Sequence, residues 1–471
     1  MKKVLLVVIV LIVICVLGLP LLTGMMTQAR IEERVAALSN NPIVLIEVAS
    51  YDRGWLAATS RIEVGISPSY AAQFGGGAPA GAMLEQRIPF VLEVKHGPVI
   101  FDAGVHFALS SVVATFDPES PVSVLAREQL GMPYVFQLRG HGPITGGFVF
   151  EAEIPPVDYG DGANDLSFSG LRVDGTLRGD HVTSRGNIDS FDFTSAFATC
   201  VVEQVTFDMD SKYQAAGFGV GNGALSVARV VVTSPMTGTE PLFTAQGLRV
   251  GGESAIDDGG RMRIGVSYGA QSVASGTSFS LADAELGIAV ADLDAEAMRD
   301  YYETVQLVMG QQPAASPDEL FASLVPVLER LVEGGPNLTV DPIRFAMNGE
   351  PFFAKILVDV DPAALPPAAT RNYQDPSLWI AAATITAEAQ VSKVLAQDLG
   401  RQAMRMQLAG SGDPSLTEED IDAQADAQVG LMLVQLTGMG MLQDAGDTYT
   451  TSARFASGTL TVNGTPIPLG F

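Results

Sequence analysis

Alternation with a period of two residues is the feature that most constrains this chain. Ile62, Val64 and Ile66 alternate with Arg61, Glu63 and Gly65, the pattern of a strand with one buried face. Runs rich in Val, Ile and Phe occupy Pro42–Ala49, Thr59–Ser67 and Arg87–His96, and return in Phe101–Ala114, Tyr134–Arg139, Gly147–Glu153 and Leu166–Leu177. More follow at Val201–Asp208, Leu225–Thr233, Leu242–Val250, Arg261–Gln271 and Ser278–Val290. Polar or Gly-rich turns separate them, and no crossover-length helical pattern intervenes over some 250 residues. A parallel βαβ sheet is therefore disfavoured, and an extended, curled antiparallel sheet is expected.

Near Asp292 the period changes to that of a helix. Asp294–Met309 places Leu293, Ala297, Tyr301 and Val305 on one face. Ser316-Pro317-Asp318-Glu319 combines an N-cap, a proline at N1 and a capping-box glutamate, and Gly334-Gly335-Pro336 closes that helix. Ala387–Leu408 reads as a third helix and Ser415/Thr417–Leu436 as a fourth, with Glu418, Glu419 and Asp420 in its first turn. Strands at Leu338–Met347 and Phe352–Asp359 bracket the turn Asn348-Gly349, and Thr448–Phe455 and Ser457–Val462 precede Asn463-Gly464. The expected fold class is thus α+β, mainly β, with about four helices in the C-terminal half.

Lys2 and Lys3 precede an uncharged apolar run, Val4–Leu22. As a helix it measures about 28 Å, close to the roughly 30 Å of a bilayer core. It is longer than a signal-peptide core and lacks a good cleavage site. The expectation is an N-terminal transmembrane helix, residues 1–30 forming a membrane anchor and 31–471 the body, with a subdivision at 31–290 and 291–471 as the alternative. The flanking lysines favour the cytoplasmic side, so the body is expected in the periplasm, anchored in the bacterial inner membrane through residues 4–22.

Composition narrows the partners. Apolar residues make up 47% and charged residues 17%, and the net charge is −26 with only six lysines. Such a surface repels phosphate backbones, so nucleic acid is excluded as a partner. Cys200 is the only cysteine outside the apolar run, so stability must come from packing.

Candidate chemistry is sparse. His96-Gly97-Pro98 is echoed at His141-Gly142-Pro143, which would set two imidazoles near each other for a metal. With no cysteine or further close-spaced histidine among His96, His106, His141 and His181, the residues better suit strand exits. Gly265-Val266-Ser267-Tyr268-Gly269 matches a nucleophile elbow, yet a strand follows and no histidine comes after His181. Gly217–Gly223 imitates a phosphate loop but leads into a strand. Asp158, Asp161, Asn164 and Asp165, and Asp257-Asp258, lack EF-hand spacing and read as turn acids. Trp55 reads as a core residue fixing the first hairpin, with an interfacial role as the alternative. No catalytic residue, metal site or cofactor is expected.

Tyr51-Asp52-Arg53-Gly54-Trp55, Val94-Lys95-His96-Gly97-Pro98, Leu293–Met298, the helix at 317–333 and Gly458–Gly464 occur in an order and spacing that resembles the bacterial YdgA-like family, a family of unknown function. The resemblance covers nearly the whole chain, although the Gly75–Gly77 loop and the strong acidity depart from the family. It implies an inner-membrane-anchored protein with an external β-rich body and no established activity, with Arg53, Gly54, Trp55, His96, Gly97, Pro98, Asn463 and Gly464 as motif residues of structural role. In plan the body is also similar to AsmA-type envelope proteins, which are linked to lipid handling. The expectation is a non-enzymatic envelope protein that binds a lipid or other apolar ligand on a long sheet, or else an envelope scaffold with a protein partner.

Overall fold

The computed structural model describes residues 24–29, 31–33, 35, 44–66, 87–97, 99–101, 105–143, 146–213, 219–234, 240–276, 279–309, 316–410 and 417–468. The chain forms two compact units. One comprises Met1–Leu225 and Arg299–Leu324, the other Ser226–Met298 and Val325–Phe471. The chain first passes between them at residue 225 and again at 298.

In the first unit, β1 (Val44–Arg53), β2 (Ala57–Ile66), β3 (Ile88–His96), β4 (Val99–Phe101) and β5 (Val105–Phe116) are followed by the helix Pro121–Leu130. Then come β6 (Gln137–Pro143), β7 (Phe148–Ile154), β8 (Val157–Gly160), β9 (Asn164–Phe168), β10 (Leu171–Arg178), β11 (His181–Ser195) and β12 (Thr199–Tyr213). Every pairing is antiparallel: β1 to β2, β3, β5, β6, β7, β10, β11 and β12 lie side by side, β4 joins β5, and the β8–β9 hairpin joins the far end of β11. The expected antiparallel sheet is present, with one helix that the alternation did not announce. Ser120 caps that helix through Ser123 N, Pro121 takes its first turn, and Gly131 ends it at φ 65°, a left-handed position that favours glycine. Its Ala126 packs with Met132 and Val157 against Ile154 and Phe168 to close the core at that end.

Register makes this sheet two-faced. One row of opposed residues runs Arg53, Ala58, Val94, Val112, Gly140, Phe150 and Gly175 from β1 to β10. The next runs Tyr51, Ser60, Leu92, Ala114, Leu138 and Ala152. Successive residues alternate faces, so the opposite face carries Glu151, Arg172, Asp174, His181 and Asp210, with the Arg172–Glu151 ion pair at 2.7 Å and a His181–Asp210 hydrogen bond at 2.6 Å.

The chain enters the second unit within β13 (Gly219–Thr233) and builds β14 (Pro241–Ile256), β15 (Arg261–Ser275) and β16 (Phe279–Asp294). The helices Ala295–Met309 and Pro317–Glu333 follow, of which the part from Arg299 to Leu324 belongs to the first unit, then β17 (Asn337–Met347), β18 (Glu350–Val360), the helix Pro376–Ala382 and β19 (Ala383–Ser392). An antiparallel helix pair, Lys393–Gly410 and Glu418–Gly438, precedes β20 (Gln443–Asp444), β21 (Thr448–Ala456), β22 (Thr459–Val462) and β23 (Thr465–Ile467). The strands pair in the order β14, β15, β16, β17, β18, β19, β21, β22, β23.

The capping signals are realised. Ser316 N donates to Glu319 Oε2 at 2.8 Å while Glu319 N donates to Ser316 Oγ at 3.3 Å, and Thr417 and Asp420 form the same reciprocal box. The helix expected over Ala387–Leu408 is corrected at its start. Ile385, Ala387, Ala389 and Val391 alternate with Thr386, Glu388 and Gln390, so Ala383–Ser392 pairs as a central strand and the helix begins at Lys393.

The fold class needs a larger correction. The sequence reading included an N-terminal transmembrane helix, but among the described residues no helix is long and apolar enough to cross a membrane. Glu418–Gly438, the longest of them at 21 residues, carries Glu418, Glu419, Asp420, Asp422 and Asp426 along its first half, and such charges are expensive in hydrocarbon. The run Val4–Leu22 lies outside the described residues. The fold is mainly β, antiparallel throughout, with amphipathic or charged helices.

Candidate ligand-binding groove

Two of the motifs picked out in the sequence meet at one end of β1–β3. Arg53-Gly54-Trp55 begins the turn into β2, where Gly54 N donates to Ala57 O at 2.8 Å and a Cβ on Gly54 would stand 2.9 Å from that oxygen. His96 ends β3 beside this turn, its N–H donating to Leu56 O at 2.8 Å. Gly97 N donates to Leu109 O at 2.8 Å, and a Cβ there would lie 1.6 Å from Ala108 O. No side chain fits, so glycine is required by close backbone approach. Pro98 lies outside the described residues.

The His96 ring is 3% exposed and neither ring nitrogen has a hydrogen-bond partner. Burial pushes its pKa below the ordinary histidine value, and the nearby Arg53 charge pushes the same way. The Tyr51 hydroxyl is also buried without a partner; burial raises its pKa, Arg53 opposes this, and Glu32 adds a smaller upward push. Over His96 passes the helical run 24–29: a Cβ on Gly24 would stand 3.1 Å from the imidazole Cδ2 and Nε2.

Between this run and the apolar face of the sheet lies a groove of about 680 Å³. Met26 and Ile31 line it on the helical side; Leu92, Val112, Phe148 and Leu177 line it on the sheet side. It crosses β3, β5, β6, β7 and β10, four inter-strand steps or about 19 Å. Ser110, opposite His96 in register, is part of its wall, so the buried imidazole adjoins one end.

On the same face of the sheet as the groove, three glycines make room for phenylalanine rings, one of which, Phe148, lines it. A Cβ on Gly140 would fall 2.2 Å from Phe148 Cζ, on Gly175 2.3 Å from Phe150 Cζ, and on Gly186 2.3 Å from Phe207 Cζ. Each ring lies flat over a neighbouring strand, and Phe148 stacks on Phe150 with centroids 6.4 Å apart. The sequence reading did not single out Leu92, Phe148 or Leu177, which only strand register brings to one face.

The other candidates are dispersed. His96 opposes Ser110, whereas His141 opposes Ser111, so the two imidazoles sit on opposite faces and form no shared site. Among the described residues no group of three His, Cys, Asp or Glu side chains can hold a metal ion. Asp161 accepts the Ala163 and Asn164 amides at 2.9 and 2.7 Å, and Asp257 accepts Gly259 and Arg261 at 2.9 and 2.8 Å, as turn acids do. Ser267 lies mid-strand in β15, so no nucleophile elbow exists there. Gly219–Thr233 is strand, and residues 214–218 lie outside the described residues. Trp55 is 43% exposed, at the tip of its turn and not in the core.

Asn463-Gly464 serves architecture. At φ 48° and 80° these residues turn β22 into β23, and the Asn463 amide accepts Ser452 N at 2.8 Å while donating to Gly440 O at 2.9 Å and Met441 O at 3.1 Å. Asn348 does the same at the β17–β18 turn, accepting Ser280 N at 2.9 Å.

No curated protein and no solved structure matches the chain. A family profile does, from residue 1 to residue 470. The chain therefore belongs to a family of bacterial proteins of unknown function, DUF945.

Proposed function

We propose that this is a non-enzymatic protein of the bacterial cell envelope that holds a lipid or another apolar ligand on the apolar face of its sheet. The observation that carries this reading is the groove of about 680 Å³ in the first unit, a volume in the range of pockets that enclose small ligands. Its lining is mostly apolar, and a wide water-exposed apolar surface of that kind calls for an occupant. The likeness of the sequence motifs to YdgA-like proteins, and of the plan to AsmA-type proteins, leans the same way. The test is native mass spectrometry with lipid extraction on the full-length protein and on Leu177→Trp, which fills the groove. Lipid on the wild type and its loss from L177W would support the reading; equal lipid on both, or none on either, would refute it.

A second reading, an envelope scaffold with a protein partner, is favoured by one observation. On the helix Glu418–Gly438, Leu431 and Val434 are 70% and 71% exposed, and Met439 beyond its end is half exposed. Leu431→Asp with Val434→Asp would then release a cross-linked partner while leaving bound lipid unchanged; retention of the partner would dismiss the scaffold.

A further inference from the structure

We propose that the groove takes a single-chain amphiphile with an anionic oxygen head, a carboxylate or phosphate monoester, whose chain lies across the sheet and whose head meets Arg53, His96 and Tyr51. This inference rests on the groove being a ligand site, as proposed above.

The register places the three polar groups on the groove's face, His96 at its β3 end and Arg53 and Tyr51 beyond it on β1. Arg53 ends the row Ala58, Val94, Val112, and Tyr51 ends the adjoining row Ser60, Leu92, Ala114. His96 lies two residues beyond Val94 on the same face, next to the groove residue Ser110. The apolar channel, some 19 Å long by strand spacing, is lined as far as Leu92 and Ser110 on β3 and β5, and Arg53 and Tyr51 follow on β1, two strands beyond Leu92 on the same face, an apolar-to-polar order that an amphiphile shares.

Their chemistry selects the head. Guanidinium, phenol and neutral imidazole all offer N–H or O–H donors. His96 is 97% buried by the same measure that leaves it 3% exposed, and both its nitrogens and the Tyr51 hydroxyl lack partners. Buried polar groups are normally satisfied, and an acceptor oxygen supplied by a ligand would partner the Tyr51 hydroxyl and the one His96 nitrogen that carries hydrogen. Arg53 has no ion-pair partner among the described residues, in a chain whose net charge is −26. Two acids stand nearby on the helical run: Glu32 and Glu33. Arg53 acts on Tyr51 more strongly than Glu32 does, and Glu33 is nine residues beyond Gly24, about 13 Å along a helix from the contact with His96. Lys95 and Asp52 flank these positions on the opposite face. On the groove's face of β1–β3 Arg53 is the cation among the described residues, and its guanidinium suits an anionic oxygen.

The test uses delipidated full-length protein and three probes of equal chain length: palmitate, a palmitoyl lysophosphatidic acid, and the neutral hexadecanol. Palmitate, the lysophosphatidic acid or both should bind at least tenfold more tightly than hexadecanol, and the tighter of the two identifies the head. Arg53→Gln and His96→Phe should bring the anionic probes down to the hexadecanol level. Arg172→Gln, on the charged face, should leave all three unchanged. Arg53 is exposed at a strand end, so R53Q keeps the test sound if H96F fails to fold. Should hexadecanol match the anions in the wild type, or R53Q retain the preference, the head assignment falls while the groove stands, provided L177W still blocks hexadecanol. Should no probe bind, both the groove reading and this inference fall.

Discussion

At the scale of single residues, the motif positions separate into those that hold the backbone and one that is oddly placed. Gly97 belongs to the first kind: with Ala108 O 1.6 Å from where a Cβ would be, Gly97→Ala must push β3 and β5 apart at their ends. We expect a loss of about 3 kcal/mol or more in urea denaturation, at the severe end for point substitutions. Asn463→Ala should cost roughly 2 kcal/mol by the same measurement, because it strands the Gly440 carbonyl and the Ser452 amide together. His96 is the odd one, a buried imidazole held neutral. Its folded-state pKa lies below the ordinary value of about 6.5. As pH falls below about 6.5 the unfolded chain binds a proton that the folded chain refuses. Stability therefore drops from about 6.5 down to the lowered value, and no penalty exists above that window. Comparing denaturation at about pH 7.5 and 5.5, H96F should show a shallower loss than the wild type; an equal loss would mean His96 does not contribute.

At the scale of elements, the sequence was most readable where a local device is self-contained. The capping box at Ser316–Glu319 and the turn at Asn348-Gly349 stand where their residues said they would, because each depends on neighbours within a few positions. The misses have the same kind of explanation. Pro121–Leu130 had its Ser-Pro start and Gly131 stop, but it is short and sits amid strands. Ala383–Ser392 is rich in alanine, a good helix former, and only pairing with β18 and β21 makes it a strand. The glycine–phenylalanine fit across strands was not legible, since it joins residues that only register brings together. It makes a clear prediction. Gly140→Ala should destabilise the first unit by about 1–3 kcal/mol through overlap with the Phe148 ring, and the same substitution in Phe148→Ala should cost far less, a coupling that a double-mutant cycle measures.

At the scale of the whole molecule, a ligand in the groove should be visible as stability. Saturating palmitate at about a hundred times its dissociation constant should add about 2.7 kcal/mol to unfolding, read as a rise in thermal midpoint absent in L177W. What the sequence by itself determined was the β-rich class, its antiparallel pairing, the Ser316 helix cap and the strongly acidic net charge, all of which follow from periodicity, local hydrogen bonding and composition. The tertiary structure decided that His96 and His141 face opposite ways, that Arg53, Tyr51 and His96 share a face, and that a groove runs between residues 24–33 and Phe148 and Leu177. The physical reason is register: a shift of one residue in any pairing exchanges the two faces of a strand, and nothing in the linear order of residues states which pairing the whole sheet will adopt.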